Sequence, residues 1–140
     1  MSAPRVLVVD DEPAVLGLIS HALAARGYEV QAAPDPLQAL KLAHDAPCFD
    51  LVVSDVIMPQ MCGPELVRRI TQICPGTAVL VMSGHIDVQD LPKGAKFIGK
   101  PFQVKDLYSI VDRALASSPT ASGPRKEDGP QSGEPSRSSA

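Results

Sequence analysis

Val6-Leu7-Val8-Val9-Asp10-Asp11 and Leu51-Val52-Val53-Ser54-Asp55 decide the fold. Each is an apolar run that ends in carboxylate. A run without polar alternation suits a central strand of a parallel sheet covered on both faces. An acidic residue at the end of a buried strand is costly unless a metal or a proton offsets its charge. In a parallel sheet such ends can meet. Asp10, Asp11 and Asp55 therefore form a candidate divalent-cation site, with Asp55 a candidate for chemistry.

On either side of these two runs the chain alternates. Further strand-like runs cover 28–32, 78–82 and 95–98, beside 5–9 and 51–54. Helical patterns lie between them. The first opens near Pro13 and closes at Gly27, a proline in the first turn and a glycine at the C-terminal cap. Val15, Leu16, Leu18, Ile19, Leu23 and Ala24 are its expected inner face. The second covers about 36–44, with Leu37, Ala39, Leu40 and Ala43 inward. The third starts at Pro64 and carries Leu66, Val67 and Ile70. The last spans about 104–116, with Leu107, Ile110, Val111 and Leu115 inward. This order predicts an α/β fold with a five-stranded parallel sheet, helices on both faces and right-handed crossovers. Its ligand crevice lies at the carboxyl ends of the strands, where Asp10, Asp11, Asp55, Ser83 and Lys100 all fall.

Composition narrows the classes. The 140 residues suffice for one domain with a core, and the formal net charge of −3 gives no electrostatic case for direct nucleic-acid or membrane binding. No signal-peptide pattern and no membrane-spanning run is visible. Cys48, Cys62 and Cys74 lack metal-ligand spacing and read as reduced thiols, so the expected location is cytoplasmic. Cys48 and Cys74 read as small apolar residues and Cys62 as an exposed loop thiol. Composition changes near Ser117: the last 24 residues hold seven Ser, four Pro and three Gly, so 117–140 is expected to be a disordered tail after a domain at 1–116.

The chemistry follows from charge type. Three carboxylates suit a hard cation, and Mg²⁺ takes few protein ligands while keeping waters that a phosphate can replace. Such an ion neutralises charge in an in-line phosphoryl transfer. Asp55 can supply the attacking oxygen, giving an aspartyl-phosphate. Lys100 offers a compact positive charge to the phosphoryl group and Ser83 a hydroxyl donor. Taken singly, the aspartates read as helix caps, Ser83 as a turn residue, Lys100 as a solvated lysine and Phe97 as core.

Four motifs in order remove most of that ambiguity. Val8-Val9-Asp10-Asp11-Glu12, Ser54-Asp55-Val56-Ile57-Met58-Pro59, Met82-Ser83-Gly84 and Lys100-Pro101-Phe102 resemble the response-regulator receiver domain of two-component signalling, over about residues 4–116. The resemblance implies the flavodoxin-like strand order 2-1-3-4-5. It implies that Asp11, Asp55 and the backbone carbonyl of Ile57 ligate Mg²⁺, with Asp10 acting through a metal-bound water. Asp55 would accept a phosphoryl group from a histidine kinase or phosphotransfer protein, and Lys100 would contact it, with Lys100-Pro101 cis. Ser83 would move toward the phosphoryl group and Phe97 would turn inward. A partner-binding surface would thus change for an unidentified downstream protein, and a phosphorylation-dependent dimer is compatible with this reading. The chain would be a switch and not an enzyme in the ordinary sense.

The sequence departs from the pattern at two places. Pro92 and Gly94 leave room for only one or two helical turns between Ser83 and Lys100, so a shortened fourth helix and a shifted output face are expected. Ile57 lines the entrance and cannot align a water, which points to a long-lived phosphoryl group; His85 offers the one nearby compensation. His21 and His44 read as helix-surface residues. Alternatives stay open: a receiver domain belonging to a hybrid kinase or larger regulator, a Mg²⁺-dependent aspartyl-phosphate phosphatase, a flavodoxin-like binder, and an unphosphorylated docking scaffold.

Overall fold

The computed structural model describes residues 3–45, 48–84 and 94–116. The strands are β1 (Arg5–Val9), β2 (Glu29–Ala33), β3 (Leu51–Asp55), β4 (Ala78–Ser83) and β5 (Lys96–Gly99). The helices are α1 (Pro13–Ala25), α2 (Pro36–Asp45), α3 (Gly63–Ile73) and α4 (Val104–Ala116). The strands form one parallel sheet in the order β2-β1-β3-β4-β5. The expected shortened helix, together with His85 and Pro92, falls on 85–93, outside the described residues, as does the expected tail at 117–140.

Strand alternation divides the core. Val6 and Val8 point to one face, where they join Val53, Leu80 and Met82 under α1 and α4. Leu7 and Val9 point to the other and meet Val52, Val79 and Val81 under α2 and α3. Because both faces are covered, the central strands carry no polar alternation. Met58 and Met61 pack into the second cluster, fixing the loop after β3 from beneath.

Helix ends follow local chemistry. Gly27 closes α1 with a φ of 93°, and the Gly27 and Tyr28 N–H groups donate to the Ala24 and Leu23 carbonyls. This is the paired bonding that a left-handed glycine permits. The inner faces of two helices differ from expectation. Leu18 and Ala24 are exposed, and Ala22 is buried instead. The buried stripe of α1 centres between Ile19 and Leu23, and at 100° per residue Leu18 and Ala24 lie beyond its edges. Leu37 is exposed on α2 for the same reason.

Polar contacts fasten α1 to α4. Asp112 accepts from Arg26 at 2.9 Å and from the Tyr28 hydroxyl at 2.8 Å. The Arg26 guanidinium lies 4.3 Å from the centre of the Tyr108 ring, and the Tyr108 hydroxyl donates to the Ala22 carbonyl. Burial, reinforced by the hydrogen bond to Asp112, pushes the Tyr28 phenol up to about 12.

One expectation is overturned at the opposite end of the sheet from the strand carboxyl ends. Cys48 and Cys74 are not separate thiols but a disulfide, with their Cα atoms 5.8 Å apart. The parallel register pairs Leu51 with Ala78. Cys48 and Cys74 each precede one of these strands by a few residues, so the topology delivers both to the same edge. Cys62 is the free, exposed thiol. The cytoplasmic expectation drew on three unpaired thiols, and that support falls away. No helix among the described residues is long and apolar enough to cross a membrane.

Candidate functional site

The sheet register builds the site. Val9 pairs with Ser54 and Asp55 with Met82, so the residues leaving β1 sit beside the end of β3. Ser83 pairs with Gly99, which brings Lys100 to the same edge, and the Lys100 N–H donates to the Ser83 carbonyl at 2.7 Å. β3 runs one residue beyond its expected end, as does β4, so Asp55 and Ser83 are strand residues held by the ladder.

Asp10, Asp11 and Asp55 offer carboxylate oxygens that all lie within 4.8 Å of one another. Asp10 is fully buried, Asp55 half-buried and Asp11 exposed. The Lys100 ammonium bridges two of them, 3.1 Å from Asp10 Oδ2 and 3.2 Å from Asp55 Oδ1. Asp10 Oδ1 accepts the Glu12 N–H at 2.9 Å, so both oxygens of this buried carboxylate are satisfied. Asp55 Oδ1 also accepts the Val56 N–H at 3.0 Å. Asp55 Oδ2 has no hydrogen-bond donor among the described residues. One oxygen of Asp55 is held and the other is open.

Burial raises the Asp55 pKa, the hydrogen bond from Lys100 opposes it, and the charge of Asp10 adds to the rise. Burial pulls the Lys100 ammonium down, but its hydrogen bonds to Asp10 and Asp55 outweigh that and its pKa is raised. Asp10 and Asp55 share the Lys100 ammonium, and the charge of Asp10 favours a proton on both Asp55 and Lys100. The residual charge of two negative units matches a divalent cation. The donors are all hard oxygens within 4.8 Å of one another, the ligand type that suits Mg²⁺, which takes few protein ligands and keeps waters.

The loop from β3 to α3 is fixed by contacts that sequence reading missed. The Gly63 N–H donates to the Val56 carbonyl at 2.7 Å. A Cβ at Gly63 would overlap the Asp55 carbonyl oxygen, so only glycine fits. Gln60 has a φ of 75°, a left-handed conformation unusual for this residue. Ile57 projects into solvent at 64% exposure. Ser83 is buried at the end of β4, and Phe97, opposite Val81, is half-buried. The Lys100-Pro101 peptide is cis. Every residue expected at the site therefore lies at this edge or on the strands leading to it, and His21 and His44 are exposed on helices away from the cluster's ligands.

Comparisons with known proteins identify the family and the fold. A family model described as response regulator receiver domain matches residues 6–112. The chain is 35% identical over 122 residues to the DNA-binding transcriptional regulator NtrC of Azospirillum brasilense, covering 84% of this chain and 25% of that protein. It is 38% identical over 116 residues to the sensor kinase CckA of Brucella abortus, covering 79% of this chain and 12% of the kinase. The response regulator receiver protein CpdR of the same organism is 31% identical over 116 residues and is matched over 96% of its length. Thus the chain spans a small part of the first two relatives and nearly all of the third. Among solved structures, a CheY-like receiver domain protein of Methanospirillum hungatei superimposes with a TM-score of 0.76 at 29% identity, covering 81% of this chain and 94% of that one. The receiver domain of the hybrid histidine kinase CckA gives 0.71 at 38% identity, covering 79% and 98%.

Proposed function

Because the chain belongs to the response regulator receiver domain family, we propose that it is a phosphoacceptor switch in which Asp55 takes a phosphoryl group from a phosphohistidine. The observation that carries this is Lys100 bridging Asp10 and Asp55 inside a three-carboxylate cluster, with one Asp55 oxygen left open. The open Asp55 oxygen attacks phosphorus in line, the P–N bond to histidine breaks, and the electron pair leaves on the imidazole nitrogen. Lys100 holds a phosphoryl oxygen as charge builds. Asp10, Asp11, Asp55 and the Ile57 carbonyl would hold Mg²⁺, which when bound neutralises the phosphoryl oxygens.

The signal is read through the neighbouring strands. Ser83, at the end of β4, donates its hydroxyl to the new phosphoryl oxygen and draws its loop inward. Phe97 on β5 then fills the vacated space, so added charge biases a two-state equilibrium. We assign the switch to residues 1–116, acting with a histidine kinase or phosphotransfer protein and a downstream partner. The exposed Ile57 side chain at the entrance cannot itself orient water, which favours a persistent phosphoryl group.

The test is modification by acetyl phosphate, or capture of beryllium fluoride, with and without Mg²⁺, read by mass spectrometry and by NMR shifts at Ser83 and Phe97. Mg²⁺-dependent modification that disappears in Asp55→Asn is the expected result. Modification that ignores Mg²⁺ or survives Asp55→Asn overturns the assignment.

A further inference from the structure

The Cys48–Cys74 bridge lies at the amino ends of the strands, away from the carboxylate cluster at their carboxyl ends. Its two halves are unequal. Cys48 is exposed in the segment entering β3, whereas Cys74 is buried where α3 ends, with its N–H bonded to the Ile70 carbonyl. An incoming thiolate therefore meets the Cys48 half of the bridge more readily than the Cys74 half. The Arg5 guanidinium reaches the Cys48 carbonyl at 3.4 Å, lies 4.5 Å over the Phe49 ring and pairs with Glu29 at 3.8 Å, holding the backbone of this segment in place. The Cα separation of 5.8 Å is ordinary for a disulfide, so bridging asks for no backbone displacement. The bridge also closes a covalent loop of sequence separation 26 that holds β3, the following loop and all of α3.

We propose that Cys48 and Cys74 form a reversible thiol–disulfide site that exchanges with low-molecular-weight thiols and disulfides of the glutathione class, with Cys48 the point of attack and Cys74 the resolving cysteine. In the oxidising direction the Cys48 thiolate attacks one sulfur of the small disulfide, its S–S bond breaks, and one small thiolate leaves. Cys74, losing its proton, then attacks the Cys48 sulfur and expels the second small thiolate. Two cysteine thiols and one small disulfide thus become one protein disulfide and two small thiols. The reducing direction runs the same steps backward. The function of the carboxylate cluster is not needed for this site. Its consequence is mechanical: the oxidised form ties the end of α3 to the entry of β3, and the reduced form frees it.

The experiment uses the full chain carrying Cys62→Ser, so that only the pair remains. The protein is equilibrated across ratios of reduced to oxidised glutathione, acid-quenched, alkylated and weighed. A single transition between doubly alkylated and unalkylated protein is expected. Failure to oxidise at the most oxidising ratio overturns the proposal, and so does resistance to reduction at the most reducing one. The polarity is tested with Cys74→Ser and Cys48→Ser. Oxidised glutathione should label Cys48 in the first roughly ten-fold faster than Cys74 in the second, as the difference in access requires. Equal rates overturn the assigned order. Hydrogen exchange of the α3 amides should be faster in the reduced wild type than in the oxidised one, and identical exchange overturns the mechanical consequence.

Discussion

Replacing Gly63 by alanine should reverse the sign that glycine-to-alanine changes normally show in helices. Alanine in a helix interior is more stable than glycine by about 0.5–1 kcal/mol, from backbone entropy and propensity. Gly17 is the internal control: it lies exposed within α1 and a Cβ there meets nothing within 4 Å. Gly17→Ala should therefore stabilise by about 0.5–1 kcal/mol. At Gly63 the new Cβ would overlap the Asp55 carbonyl oxygen and press on Val56 Cα at 3.0 Å. Both obstacles are backbone, so no rotamer change relieves them. Either α3 or the end of β3 must move, and overpacking of this kind costs about 1–3 kcal/mol. Gly63 is also the first residue of α3, where the propensity gain is smallest. The two variants should differ by about 1.5–4 kcal/mol, which at about 4 °C per kcal/mol separates their midpoints by roughly 6–16 °C. Urea unfolding followed by circular dichroism, with unchanged m-values, measures this. A Gly63→Ala protein as stable as its parent would refute the close packing of α3 on the Asp55 carbonyl.

Opening the Cys48–Cys74 loop, of sequence separation 26, by Cys48→Ser should cost about 3.5 kcal/mol on the loop-entropy relation, read as a lowered urea midpoint relative to the oxidised parent. Gln60→Gly should stabilise by about 0.5–1 kcal/mol by removing the left-handed strain at φ 75°, and no gain in thermal midpoint would contradict that account. Lys100→Met strands the buried Asp10 carboxylate and should destabilise by about 3 kcal/mol in metal-free buffer, measured by denaturation. The Tyr28 phenol, raised from 10.0 to about 12, holds its proton more tightly in the folded state. Its contribution is complete below pH 10 and is lost as pH rises toward 12. Phenolate absorbance should show a midpoint near 12 that Tyr28→Phe removes.

The fold was legible because the strands announce themselves twice, by apolar runs and by what ends them. Val6–Val9 and 51–54 have no polar alternation, which only a doubly covered sheet explains. The site was legible because strand-end carboxylates have few structural uses in such numbers. What escaped needed three dimensions. Leu18 and Leu37 are as apolar as their buried neighbours, and only the exact centre of each stripe exposes them. The role of Gly63 depends on a backbone approach between residues eight apart in sequence, from Asp55 to Gly63. Count and spacing of the cysteines do not reveal the disulfide; the informative quantity is their distance from the start of two paired strands.

The position of α4 has a consequence for how the chain is made. Leu107, Ile110, Val111, Ala114 and Leu115 complete the cluster around Val6 and Val8, which are synthesised about a hundred residues earlier. The opposite face needs only α2 and α3 and can close as soon as β4 has emerged. At about 5–20 residues per second, β1 waits roughly 5–20 s on the ribosome before α4 arrives. During that interval the nascent sheet has one finished side and one bare apolar side, partly covered by α1. Chaperone binding to ribosome-bound chains should thus concentrate on lengths that include β4 but stop short of Leu115.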